Sequence, residues 1–279
     1  MSAAQATDAF QESIAHPDDR IVLPEAALLI ARDEYPDLPV AAYLRRLEEI
    51  AAGAGAAAAG AEGNPFAVID ALNSHLFGTL GFRGNQDDYF DPRNSYLNDV
   101  LDRRLGIPLT LSIVYLEAAA GAGFPLRGIG FPGHFLVQHA SHGREILIDP
   151  FHRGAILLPE DCRARLRQAY GAEVPLEEGF FRPVGKRAIL ARMLHNLKHI
   201  HLRREDYPRA LRAIEKLMLL TPRDPGLRRD RGFVHLKMER PGRAAEDLEA
   251  YLALQPEADD AEEARRRIRA IRRDAALHN

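Results

Sequence analysis

The sequence predicts an α+β domain followed by an α-helical repeat array, and three observations carry the prediction. Residues 108–120 form a helical stretch that is apolar on nearly every side, as a buried central helix is. Three short strand candidates follow it, at residues 126–129, 134–138 and 145–148. The last third of the chain then repeats: Ala210 and Ala244, Leu217 and Tyr251, Leu220 and Leu254, and Pro222 and Pro256 are each 34 positions apart.

The elements can be justified in chain order. Residues 21–50 carry two apolar clusters, one around Leu28 and Ile30 and one around Val40, Leu44 and Leu47, either side of Tyr35-Pro36-Asp37-Leu38-Pro39; this predicts two helices about a proline-marked turn. Residues 51–63 are Ala/Gly-rich and fit either a flexible connector or a helical end. Asn64-Pro65 predicts an N-cap and a first helical position, with Phe66, Ile69, Leu72, Leu76 and Phe77 on the buried face. Residues 78–92 are rich in Gly, Asn, Asp and aromatics and are expected to be a long loop. Asn94-Ser95 opens a helix expected to stop at Gly106, and Pro108 opens the buried one. A 34-residue period with a small residue in the second helix and a closing proline is the tetratricopeptide signature, with the final helix, residues 261–276, as its cap. Such repeats cannot bury their apolar faces alone, so they are expected to pack on the first domain or on that final helix.

Composition bounds the function. The 279 residues, 46% hydrophobic and 28% charged, suit one large or two modest domains. The single cysteine, Cys162, excludes an internal disulfide framework and a cysteine-rich metal site. No basic segment followed by an apolar stretch marks a signal peptide near Met1, and no apolar run approaches the roughly 18 residues that span a bilayer, so the expected compartment is the cytoplasm. Residues 1–180 hold 14 Lys+Arg against 25 Asp+Glu, whereas residues 181–279 hold 23 against 15. The basic residues of the second part are interleaved with Glu and Asp along amphipathic helices, which does not favour a nucleic-acid-binding tail.

The chemistry centres on His134 and Asp149. They bracket a hairpin whose turn, centred between Ser141 and His142, sets His134 directly opposite Asp149 on one sheet face. A carboxylate that orients an imidazole is the second half of a nucleophile–base–orienter triad.

Four motifs then give a resemblance. Tyr89-Phe90-Asp91-Pro92-Arg93-Asn94-Ser95-Tyr96-Leu97-Asn98, Arg103-Arg104-Leu105-Gly106-Ile107-Pro108-Leu109-Thr110-Leu111-Ser112, Gly130-Phe131-Pro132-Gly133-His134-Phe135 and Ile148-Asp149-Pro150-Phe151 resemble the bacterial SirB-type proteins. The resemblance spans roughly residues 20–260 and implies a transglutaminase-like, papain-like core with C-terminal tetratricopeptide repeats. It implies domains at residues 1–63 (N-terminal helices packing on the core), 64–180 (the α+β domain) and 186–279 (the repeats). In active relatives a nucleophilic Cys starts the central helix, where the helix dipole and a His stabilise its thiolate. Here the candidate positions are Ile107, Pro108, Leu109 and Thr110, and none is Cys; Cys162 lies beyond Asp149.

The reading that follows is a pseudoenzyme: a protein-interaction or regulatory module with a protein partner on the 186–279 helices and a retained pocket of Asn94, Ser95, Asn98, Pro108, His134 and Asp149. The alternative is a hydrolase or acyltransferase in which His134 and Asp149 activate a hydroxyl of Thr110, Ser112 or Ser95, or in which His134 acts on water. No cofactor, metal, nucleic acid or membrane is expected. His195 and His199 are four apart on a helix with His201 nearby, but no Cys or carboxylate joins them at metal spacing. Capping is the ordinary role of Asn94 and Ser95, and Arg93, Arg103 and Arg104 have Asp91, Asp99 and Asp102 as neighbours for ion pairs.

Overall fold

The computed structural model describes residues 3–141 and 144–277. Contacts divide the chain into two compact units, residues 1–193 and 194–279. The first is the α+β domain that the sequence predicts and the second is helical throughout.

The first unit begins with α1 (Ala3–Ser13), α2 (Leu23–Ala31) and α3 (Val40–Ala58). The Ala/Gly-rich stretch is therefore largely helix: α3 continues to Ala58, and its small residues serve helix contact. A methyl group added to Gly121 would meet the Ala51 carbonyl oxygen at 2.2 Å, so α3 crosses the central helix at backbone distance. Next comes α4 (Pro65–Asn73), capped as expected by the Asn64 side chain, which accepts from the amides of Phe66 and Ala67 at 3.2 and 3.3 Å. Ile69, Leu72, Leu76 and Phe77 are buried, but Phe66 is 58% exposed; sitting in the first turn, it points to solvent rather than to the core. Leu76 and Phe77 belong to a π-helical turn, Ser74–Thr79, that follows α4.

A parallel pair, β1 (Arg83–Gly84) and β2 (Leu105–Gly106), flanks a 3-10 turn at Pro92–Asn94 and α5 (Leu97–Arg103). This helix ends earlier than expected, because Arg104 adopts a left-handed conformation (φ 58°). The central helix is α6 (Pro108–Gly121), buried on all sides from Pro108 to Tyr115. It packs against α3 and against β3 (Arg127–Ile129) and β4 (Leu136–Ser141).

Antiparallel β3, β4, β5 (Arg144–Asp149) and β6 (Ala155–Leu157) form one sheet in that order. The last of these strands has no counterpart in the sequence reading. The β4–β5 register pairs Val137 with Ile148 and Ser141 with Arg144, two positions off the expected pairing, so Asp149 does not stand opposite His134. The expected turn residues His142 and Gly143 lie outside the described residues. A shift of two preserves which face each side chain occupies, whereas a shift of one would have reversed it. On one face Leu136 joins Ile129, Phe131 and Leu157 around Cys162 and Leu166 of α7 (Pro159–Tyr170). Val137, next along β4, points to the opposite face.

After α8 (Lys186–Arg203), α10 (Pro225–Lys237) packs against α9 (Tyr207–Leu220) and most extensively against α11 (Pro241–Leu254), on which α12 (Ala261–Leu277) also packs. Helices α9 and α11 start and end 34 residues apart, as the period requires. Ala210 and Ala244 are fully buried, and Leu248, Tyr251, Ala264 and Ile268 form the core that α12 closes. No described helix is long and apolar enough to cross a membrane.

Candidate functional site

Asp149 is the hub of the site. It ends β5, is fully buried, and N-caps the 3-10 turn Pro150–His152. Its Oδ1 accepts from His134 Nε2 at 2.9 Å and from the amides of Phe151 and His152 at 3.0 and 3.3 Å. Its Oδ2 accepts from His152 Nδ1 at 2.8 Å and forms an ion pair with Arg165 Nη2 at 2.6 Å. Burial by itself would raise the carboxyl's pKa; the hydrogen bonds from His134 and His152 and the Arg165 charge outweigh it and hold the group far below the usual carboxylate range. Asp149 is thus a fixed negative charge with four hydrogen-bond donors and a guanidinium on two oxygens.

His134 reaches this hub diagonally, from just before β4 rather than from within it. The turn Pro132-Gly133 places it, with Gly133 at φ 67° and the His134 amide donating to the Phe131 carbonyl at 3.0 Å. A side chain on Gly133 would also meet Ala169 of α7 at 2.8 Å. Arg192 of α8 fixes the same turn, donating through Nη2 to the carbonyls of Phe131 and His134 at 3.1 and 2.6 Å. A proton on Nε2 completes the hydrogen bond to the carboxylate and leaves Nδ1 turned away from Asp149.

A cavity of about 500 Å³ opens here. Pro108 of α6, His134, His152, Arg165, Gln168 and Tyr89 all line it, with Phe151 forming an edge-to-face wall between Tyr89 and His134. Among the described residues no Ser, Thr or Cys lines it. A larger cavity of about 990 Å³ elsewhere in this unit contains Glu117 and Lys186, but the Lys186 amine is spent on the carbonyls of Asp19 and Ile21.

The residues singled out from the sequence fall into two groups. Pro108, His134 and Asp149 meet at the cavity, with Asp149 beneath its floor. The others do not line it. Thr110 Oγ1 donates to the Asn94 carbonyl at 2.7 Å and accepts from the Ile107 amide at 3.1 Å, tying the start of α6 to the preceding loop. Asn94 is not a cap: its amide nitrogen holds the carbonyls of Asp88 and Tyr89 at 2.7 and 3.3 Å, and its Oδ1 accepts from Asn85 at 3.0 Å. Ser95, Asn98 and Ser112 are buried, with Ser95 Oγ, Asn98 Oδ1 and Ser112 Oγ unpartnered. Cys162 is buried in the face packed by α7, and burial pushes its thiol pKa up.

Sequence reasoning missed His152, Arg165 and Arg192. An Asp-Pro-x-His run, in which the carboxylate caps its own turn and the fourth residue returns to it, is a local signal that could have found His152. Arg165 and Arg192 come from separate helices and leave no such signal. His134, Asp149 and His152 also place three ligand atoms within 4.8 Å of one another, as a metal site does. The Arg165 guanidinium, 2.6 Å from Asp149 and 3.4 Å from His152 Nδ1, holds the place a cation would need.

Comparison with known proteins agrees with the fold. The family model described as transglutaminase-like superfamily matches residues 41–195, and the tetratricopeptide repeat model matches residues 197–269. A UPF0162 protein of Xylella fastidiosa is 39% identical over 253 residues, covering 86% of each chain. A UPF0162 protein of Vibrio cholerae is 34% identical over 198 residues, covering 71% of this chain and 73% of its own. Human F-box only protein 21 is 35% identical over 139 residues, 47% of this chain and 21% of its own. No solved structure matches the chain.

Proposed function

We propose, for a chain that belongs to the transglutaminase-like superfamily and to the UPF0162 proteins, that the thiol centre has become a binding pocket in a protein-interaction module. One observation carries this reading. Pro108 occupies the cavity-facing start of the central helix, and no described cavity residue bears a thiol or an aliphatic hydroxyl. His134 and Asp149 keep their hydrogen bond and so retain a base without a nucleophile beside it. Tetratricopeptide repeats generally bind other proteins, so the helices of residues 186–279 supply the partner surface and residues 64–180 the pocket, with residues 1–63 packing on that domain. The SirB-type assignment, a regulatory role and a cytoplasmic setting belong to the same proposal.

The competing reading is a hydrolase or acyltransferase with a hydroxyl nucleophile. It needs Thr110, Ser112 or Ser95 at the cavity; the Thr110 proton is already directed at the Asn94 carbonyl, and the two serines are buried away from the lining.

The test is covalent chemistry on the intact protein. Incubated with a glutaminyl peptide and a primary amine, or with p-nitrophenyl acetate, it should form no acyl adduct by intact mass, and Cys162→Ser should behave identically. An adduct on Thr110, Ser112 or Ser95 that disappears in His134→Ala would overturn the proposal.

A further inference from the structure

We infer that the His134 cavity binds an oxyanion, the carboxylate or phosphate group of a small ligand. The inference rests on the reading of the cavity as a binding pocket and names what the pocket holds.

Among the described residues no carboxylate lines the cavity, and Asp149 below is fully buried with its oxygens taken up by four hydrogen-bond donors and the Arg165 guanidinium. Against that single charge stand two guanidiniums. Arg165 lines the cavity, and its Nε is buried with no partner. Arg192 stands behind the lining turn Pro132-Gly133-His134, where its guanidinium holds the carbonyls of Phe131 and His134 at 3.1 and 2.6 Å rather than a carboxylate. The start of α6 adds only its dipole: Pro108 brings the positive end of the helix to the lining, and having no N–H it offers no donor itself. Positive charge in a recess with low-dielectric walls raises the local concentration of anions.

The remaining groups suit an oxyanion. A guanidinium presents planar paired donors that match carboxylate and phosphate oxygens. Tyr89, Gln86 and Gln168 can each donate at the rim. A volume of about 500 Å³ accommodates a small organic acid or phosphate ester. A metal cation fits less well, because Arg165 already sits on the carboxylate a metal would use.

Calorimetric titration of the full chain at low ionic strength, with inorganic phosphate and with succinate as probes, tests the inference. Gln168 is an exposed lining residue outside the Asp149 hydrogen-bond set, so its charge can be changed without dismantling the hub. Binding of either probe, weakened at least about tenfold by Gln168→Glu and tightened by Gln168→Arg at unchanged melting temperature, supports the inference. The preferred probe identifies the oxyanion. If neither probe binds, if the two Gln168 variants match the parent, or if Zn²⁺ binds where both anions fail, the inference falls. If no anion binds and no acyl adduct forms in the preceding test, the inference alone falls and the pocket reading stands, whereas an adduct lost in His134→Ala would remove the reading itself.

Discussion

Asp149 in the first unit and Asp247 in the second are both buried carboxylates beside an arginine and a histidine. Around Asp247 the match is one to one. Arg231 grips it with Nε at 2.8 Å and Nη2 at 2.7 Å, while His235 Nε2 stands off at 3.9 Å and its Nδ1 is buried without a partner. Around Asp149 donors are in surplus: two imidazoles, a guanidinium and two amides converge on it, beside a cavity. The same residue types therefore make a closed structural contact in one unit and a candidate site in the other. Surplus donors and an open face distinguish them, not the presence of an Asp, an Arg and a His.

The comparison breaks most visibly through stability. Asp149→Asn removes the charge that organises three cationic or imidazole side chains and should cost about 3–5 kcal/mol, the range for breaking a buried pair. Asp247→Asn should cost about 1–3 kcal/mol, since Arg231 retains partial exposure and water can replace part of what it loses. Urea denaturation of both variants, read at constant m, decides it; equal losses would erase the distinction.

A smaller effect lies in the acid limb of stability. Asp149 is held well below its ordinary pKa of about 3.9, so its contribution is complete above that pH and is lost as pH falls towards the folded value. Burial holds His235 below its ordinary value of about 6.5, so stability should begin to decline as pH drops through that point. Two limbs are expected: His235→Gln should make shallower the one that starts near neutrality, which His195 shares because burial lowers it too, and Asp149→Asn should flatten the one below about pH 4. A single limb insensitive to His235→Gln would show that this histidine finds a partner on protonation.

How much of this was legible in the sequence follows from how local each signal is. The 34-residue period, the Asn64 cap and the all-apolar stretch of α6 are local patterns, and the corresponding elements are present. The tetratricopeptide period does not report exposure, however: Leu220 is 7% exposed and its counterpart Leu254 is 61% exposed, because a repeat position near the end of an array has fewer neighbours. At the site, the hairpin pattern specified the shared face of His134 and Asp149 but not the register, since an apolar alternation is unchanged by a shift of two. Thr110 and Asn94 looked chemical in one dimension, yet their polar atoms are consumed holding the loop before α6. Arg165, which lines the cavity, and Arg192, which holds the turn carrying His134, approach from helices whose sequence spacing says nothing about His134.

The central claim is that this cavity keeps the surroundings of a thiol centre and lacks only the thiol. Pro108→Cys in a Cys162→Ser background tests it most directly, through the pH dependence of alkylation by iodoacetamide. A thiol at the start of α6, in the cavity shared with His134 and Arg165, should react with a midpoint of about pH 7 or below, against about 8.5 for an unperturbed cysteine. A midpoint at or above the ordinary value, in a folded variant, would show that the cavity does not stabilise a thiolate and would contradict the account.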